Sequence, residues 1–125
     1  MTHRETIIQN YIDGYNIFSV DQMVAHFAEG IQFENIQDGK ITLSLTGIDA
    51  FKEQAERAKN FFTNRRQTIT SFKHSEAETR IAVDYTAVLA MDFPNGLKKD
   101  QQLNLTGTSV FEFAGDRIVK LTDVS

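Results

Sequence analysis

Between Thr79 and Phe93 the chain alternates almost without a break. Ile81, Val83, Tyr85, Ala87, Leu89 and Met91 fall on one side, and Ala82, Asp84, Thr86, Val88 and Ala90 on the other. Successive side chains of an extended chain point to opposite faces, so the pattern specifies a β-strand with one strongly apolar face. It is far longer than the roughly five to six residues of an ordinary strand, and such length implies a bent sheet. Two more alternating segments follow, Leu103 to Phe113 and Arg117 to Val124. Pro94-Asn95-Gly96 and Ala114-Gly115-Asp116 separate the three, which predicts an antiparallel meander at the end of the chain. Gln67 to His74, rich in Thr and β-branched residues, supplies a further strand.

The first half has a different period. Ile7, Ile8, Tyr11, Ile12 and Tyr15 recur at helical spacing and predict an amphipathic helix from about Arg4 to Ile17, weakened only slightly by Gly14. Ser19 with Gln22 forms a capping-box pattern, and Phe18 can staple onto Met23. They open a second helix with the stripe Val20, Met23, Val24 and Phe27, which Gly30 can end. Thr46 is placed to cap a third, with the stripe Ile48, Phe51, Ala55, Ala58 and Phe62 and Asp49 in its first turn. On its outer face Lys52 can pair with Glu56 and Glu53 with Arg57. Between these helices Ile31 to Ile36 and Lys40 to Leu45 flank Asp38-Gly39, a favoured two-residue hairpin turn. In the register of that turn, Ile36, Ile41, Leu43 and Leu45 share a face with Gln32 and Glu34, while Ile31, Phe33 and Asn35 share the other with Thr42 and Ser44. Neither face is cleanly apolar. Either a bulge shifts the register or one face lines a half-polar cavity.

Helices followed by strands give an α+β class, and 125 residues are the length of one domain, taken as 1–125. There is no Cys, which excludes disulfides and cysteine-rich zinc sites. The three His are dispersed and no Gly-rich phosphate loop is present, so no metal and no nucleotide cofactor are implied. A net charge of -4 without a basic cluster repels a phosphate backbone, so no nucleic-acid partner is expected. Arg65-Arg66 and Lys98-Lys99 read as solvated pairs in turns. No apolar run approaches the roughly 18 residues of a membrane span, and the expected location is the cytoplasm.

The order of elements, two or three helices and then a long curved meander, resembles the NTF2-like superfamily, in which the sheet wraps a helix into a cone. Tyr11 to Asn35, YIDGYNIFSVDQMVAHFAEGIQFEN, is similar without a gap to the opening of bacterial ketosteroid isomerases. GIDAFKE at the third helix and the terminal VFEFAGDRIVKL look like SnoaL-like proteins. The resemblance implies three helices packed on a curved antiparallel sheet around a small-molecule pocket. It places Tyr11 where a ketosteroid isomerase has the tyrosine that donates to the developing oxyanion. Two positions depart: Asn35 stands in place of the aspartate base and Ser109 in place of the protonated aspartate. An amide does not abstract protons near neutral pH, and a hydroxyl donates more weakly than a tuned carboxylic acid, so isomerisation by that family mechanism is not expected.

By period two Leu105, Gly107 and Ser109 share the inner face, and by the resemblance Leu121 and Asp123 face it too. Asp123 is the acid-base candidate, because a carboxylate inside an apolar cone has a raised pKa; the alternative is a hydrated residue near the C-terminus. Asp84 either enters the cavity or makes a polar contact across a sheet-to-sheet dimer interface. Tyr11 and Tyr15 are core tyrosines or ligand contacts, and Asn35 needs a partner from protein, water or ligand. His74 at a strand end can point inward, where the resemblance to SnoaL-type cyclases implies a His and Asp pair with Asp123. The expected function is binding of a small, largely apolar organic molecule with cofactor-free proton-transfer, cyclisation or hydration chemistry of the isomerase, cyclase or dehydratase type, with Asp123 and Tyr11 catalytic and Tyr15, Asn35, Phe33, Phe51, Ser109, Leu121, Asp84 and His74 as ligand contacts. The alternative is a non-catalytic ligand-binding or dimerisation module, its pocket plugged by Phe33, Phe51 or Phe111. Apolar residues on the meander's outer face, with no second layer to cover them, point to a homodimer.

Overall fold

The computed structural model describes all residues, Met1–Ser125. Helix α1 (His3–Asn16) starts from Thr2, whose hydroxyl accepts the Glu5 backbone N–H while the Glu5 carboxylate accepts that of Thr2. This is the reciprocal box that the sequence pattern places at Ser19. At α2 (Val20–Val24) Ser19 does cap, accepting from the Gln22 backbone. The Gln22 side chain instead donates to the Asn10 carbonyl and ties α2 to α1. A Cβ on Gly14 would lie 3.0 Å from Gln22 and from the Met23 backbone, so the two helices touch through a residue that must be small.

α2 is shorter than its apolar stripe suggests. Phe27 and Gly30 belong to β1 (Phe27–Gln37), not to the helix or its end. Phe27 pairs with Ile118 of the last strand, and its ring packs on Tyr11 and Phe51, so sheet pairing and aromatic packing override the helical spacing. Gly30 lies in the irregular stretch of that pairing between Phe27 and Gln32.

β1 and β2 (Lys40–Thr46) form the expected hairpin, with Asp38 and Gly39 both at positive φ in a two-residue turn. Its register shifts between Asn35 and Ile36, so that Asn35 faces Leu43 and Phe33 faces Leu45. Thr42 is the extra residue; its hydroxyl donates to the Asn35 carbonyl and accepts from the Asn35 amide. The bulge moves Leu43 and Leu45 to the side of Phe33 and Asn35, and that face also lines a cavity.

Thr46 stays in β2, and α3 (Ile48–Lys59) is capped by Gly47 without a side-chain bond. Gly47 sits at φ 96 with its N–H donating to Ile31, so the chain leaves the sheet through a conformation that suits glycine. On α3 the pair Glu53–Arg57 forms, whereas Lys52 reaches Asp21 and Glu56 pairs with Lys59. Phe62 begins β3 (Phe62–His74) rather than closing the helix stripe, so that strand includes Arg65 and Arg66, read from the sequence as turn residues. β4 (Glu78–Leu89) stops before Met91, and Phe93 packs edge-on against Phe61. β5 (Gln102–Ala114) and β6 (Arg117–Val124) complete the meander.

The strands form one curved sheet in the order β2-β1-β6-β5-β4-β3. All pairs are antiparallel except β1 with β6, which run parallel. The core joins Ile7, Ile8 and Ile12 of α1 and Phe51 of α3 to Ile81, Phe111, Ile118 and Leu121 of the sheet. The outer face carries Ala82, Val88 and Val124 among Arg80, Asp84, Thr86, Thr106, Thr108 and Glu112, with a Lys120–Glu34 ion pair at 2.9 Å. No helix is long and apolar enough to cross a membrane.

Candidate functional site

Three strands place the polar residues. Asn35 lies beside Asp123 in the parallel β1/β6 pairing, and Asp123 lies opposite Ser109 in β6/β5. One polar row therefore crosses the inner face, with the apolar row Phe33, Leu121 and Phe111 two residues away on the same strands. Ser109 donates to one Asp123 oxygen at 2.7 Å, and the other oxygen has no hydrogen-bond partner in the chain. Burial pushes the Asp123 carboxyl up and the Ser109 hydroxyl holds it down, leaving its pKa at about 6.

Two cavities meet at this row, and Tyr15, Asn35 and Asp123 line both. The cavity under α1 and α3 is about 190 Å³ and mostly apolar, with Tyr11, Phe33, Leu43, Leu45 and Phe51 in its wall. The other, about 220 Å³, lies over the paired strands β4 and β5 beside Tyr85, Val83, Gly107 and Ser109. Phe33 and Phe51, edge to face at 5.4 Å, line the first cavity without filling it, while Phe111 lies wholly in the core. The part of Asp123 that is not covered faces these spaces.

Tyr11 stacks on Phe27 and meets Phe111 edge-on, yet its hydroxyl has no hydrogen-bond partner in the chain. Burial, reinforced by the nearby Asp123 charge, holds that hydroxyl protonated far above the ordinary tyrosine range. Tyr11 is therefore a donor. Tyr15 is engaged differently, its hydroxyl lying 2.9 Å from that of Tyr85. Burial and then the Tyr85 neighbour raise the Tyr15 pKa as well. The Asn35 amide donates to Thr42 at 2.7 Å, which turns its carbonyl oxygen free of that contact.

Other candidates lie elsewhere. His74 is held at the far end of β3 by Glu5 at 2.6 Å and Thr79 at 2.8 Å, and it lines neither of these two cavities. Asp84 is exposed on the outer face with Arg80 and Thr86. Leu121 is fully buried in the core beneath the site. Two residues not singled out from the sequence stand in the walls. Tyr85 sits on the face shared by Ile81 and Val83, a position its alternation already gave. Arg65 is 4% exposed and lines the helix-side cavity, against its reading as a solvated turn charge. Its Nε donates to the Tyr15 carbonyl at 2.9 Å, and its guanidinium lies 3.7 Å from the Tyr15 ring and 4.5 Å from that of Phe18. The signal was alternation with Gln67 and Ile69, legible only if the strand is begun earlier.

The SnoaL-like domain family matches residues 8–121. No curated protein matches in sequence. Among solved structures, a candidate polyketide cyclase from Xanthomonas campestris pv. campestris superposes with a TM-score of 0.79 at 16% identity, covering 98% of this chain and 90% of that one. An uncharacterised cystatin-fold protein from Novosphingobium aromaticivorans gives 0.74 at 15% identity, with 100% and 99% covered. A protein with a ketosteroid isomerase-like fold from Catenulispora acidiphila, in complex with trimethylamine, gives 0.76 at 14%, with 94% and 82% covered. At these identities the likeness is one of fold.

Proposed function

The chain belongs to the SnoaL-like domain family, and from the site it builds on that fold we propose that it binds a small, mainly apolar organic molecule and moves a proton on it through Asp123, without a cofactor. One observation carries the reading. Asp123 is an enclosed carboxyl with a pKa of about 6, lining both cavities and holding one oxygen without a partner. Above that pH it is a base matched to near-neutral conditions, and a bound ligand shields it further from water.

The chemistry this supports is removal of a proton from a carbon beside a carbonyl. The free Asp123 oxygen accepts the proton, and the electron pair moves onto the carbonyl oxygen. Tyr11, protonated and unpartnered, donates to that oxygen as negative charge builds there. The protonated Asp123 then returns the proton at the same or another carbon. Asn35, its amide committed to Thr42, orients the substrate. Ring closure by carbon–carbon bond formation starts with the same proton removal, and one structural neighbour is described as a candidate polyketide cyclase.

Deuterium exchange at the α-carbon of cyclohexanone in D2O, followed by NMR, tests this without knowledge of the natural substrate. The exchange rate should exceed that of buffer and rise with pH through about 6. Asp123→Asn should abolish the excess, and Tyr11→Phe should reduce it by about a hundredfold. An excess that survives Asp123→Asn would take the proton transfer away from Asp123, and no excess at all would leave a non-catalytic binding module.

A further inference from the structure

The helix-side cavity contains a second charge for which the proposed proton transfer has no use. Arg65 lies on the inward side of β3 and is 4% exposed. Its Nε is taken up by the Tyr15 carbonyl, which fixes the plane of the guanidinium against the Tyr15 and Phe18 rings. Neither terminal nitrogen has a hydrogen-bond partner in the chain, and Nη2 is the one fully buried side-chain nitrogen or oxygen atom of the molecule so placed. No carboxylate pairs with it. The ion pairs of the chain all involve other residues, and Asp123 owes its position on the pH scale to burial and Ser109.

An arginine stays charged at any ordinary pH, so it cannot escape the cost of burial by losing its proton. Ring stacking offsets part of that cost. It leaves the donors of the guanidinium fork unused, and buried donors are as a rule partnered. Leu43, Leu45, Phe51 and Ala58 of the same wall cannot accept a hydrogen bond, and its polar members do not reach the guanidinium: the Gln54 oxygen accepts from Arg57, one Asp123 oxygen accepts from Ser109, and Asn35 is not bonded to Arg65. A carboxylate presents two acceptor oxygens at the spacing of that fork.

We propose that Arg65 is the anchor of the helix-side cavity for a carboxylate, and that the ligand is a small organic acid with an apolar body. This rests on the reading of that cavity as a ligand site. The body fills the space beside Phe33, Phe51 and Leu45, the acid group pairs with Arg65, and the remainder of the molecule reaches Asp123 at the junction of the two cavities. A cavity of about 190 Å³ is somewhat larger than the benzene-binding engineered cavity of about 150 Å³, so a single ring with one acid group is the right scale. Arg65 acts in binding and position; it does not take part in proton transfer.

Benzoate and benzyl alcohol, matched in ring and differing in charge, separate the alternatives. Titrated into the protein and followed by amide NMR shifts and calorimetry, benzoate should bind at least about tenfold more tightly than the alcohol, as expected of a charge-assisted pair. Arg65→Met should erase the preference, lowering the affinity for benzoate to that for the alcohol. Arg65→Lys, which keeps the charge and loses the fork, should retain only part of it. In the wild type the Arg65 Nε–H resonance should move with benzoate and not with chloride, a readout that needs no variant to fold. Equal binding of the two probes, or a preference that survives Arg65→Met, overturns the anchor and leaves the cavity reading standing. Failure of both probes to bind overturns the cavity reading with it.

Discussion

Two rows of side chains run next to each other across the same strands and come to opposite ends. Phe33, Leu121 and Phe111 close the interior, with Leu121 and Phe111 wholly buried. Asn35, Asp123 and Ser109, two residues away on the same strands, leave it open to two cavities. Backbone pairing is the same in both, so nothing in the hydrogen-bond ladder decides which row becomes a site. Side-chain chemistry does. Apolar groups gain from excluding water, whereas a carboxyl that keeps one oxygen unpartnered loses by it and is held in place by the rest of the fold.

The largest effect should come from the closed row. Leu121→Ala removes a fully buried side chain between Phe33 and Phe111 and should cost roughly 2–5 kcal/mol of stability by denaturant unfolding. A loss well under that range would mean that the row collapses around the gap and is loosely packed.

Asp123→Asn should act with the opposite sign. The folded carboxyl titrates at about 6 against an ordinary 3.8, so protonation favours the folded state between those values. The contribution is fully present below the ordinary value and is lost as pH rises through about 6. Wild-type stability should therefore decline over that window, by at most about 3 kcal/mol for a shift of this size. The amide variant should lack that part of the decline and be the more stable protein at about pH 8. Melting temperatures of both at about pH 4 and about pH 8 check it; parallel curves would show a hydrated carboxyl.

Ser109→Ala should have the smallest effect. It removes the only hydrogen bond to the Asp123 carboxyl found in the chain, at a cost of about 1 kcal/mol. Because that bond holds the carboxyl down, the titration of Asp123 followed by carbon-detected NMR should move further up from about 6. A downward move would contradict the geometry.

The elements that were legible from sequence are those in which a local pattern and the tertiary structure agree. The first helix, the Asp38-Gly39 turn and the final meander are set by periodicity and by turn residues, and they stand as expected. Period two puts Leu105 and Gly107 on the face of Ser109, whereas Asp123 comes to that face through the resemblance to the NTF2-like superfamily. The misplacements arise where a distant partner decides. Phe27 fits a helix stripe equally well, but Ile118 and Phe51 draw it into the sheet. Phe62 fits the stripe of α3, yet it pairs with Leu89. Arg65 was the least legible of all, because an arginine is ordinarily solvated, and only the rings of Tyr15 and Phe18, remote in sequence, reveal that it is not.

The single unmatched residue in β2 gives the chain a way of changing its pocket by register. Because side chains alternate, taking Thr42 into the ladder opposite Asn35 would turn Leu43 and Leu45 outward together and present Thr42 and Ser44 to the ligand. No single substitution exchanges so much of one wall at once. Relatives that share this fold can thus differ in what they accept through the presence or absence of one bulge in a hairpin, with the carboxyl in the floor of the cone unaltered.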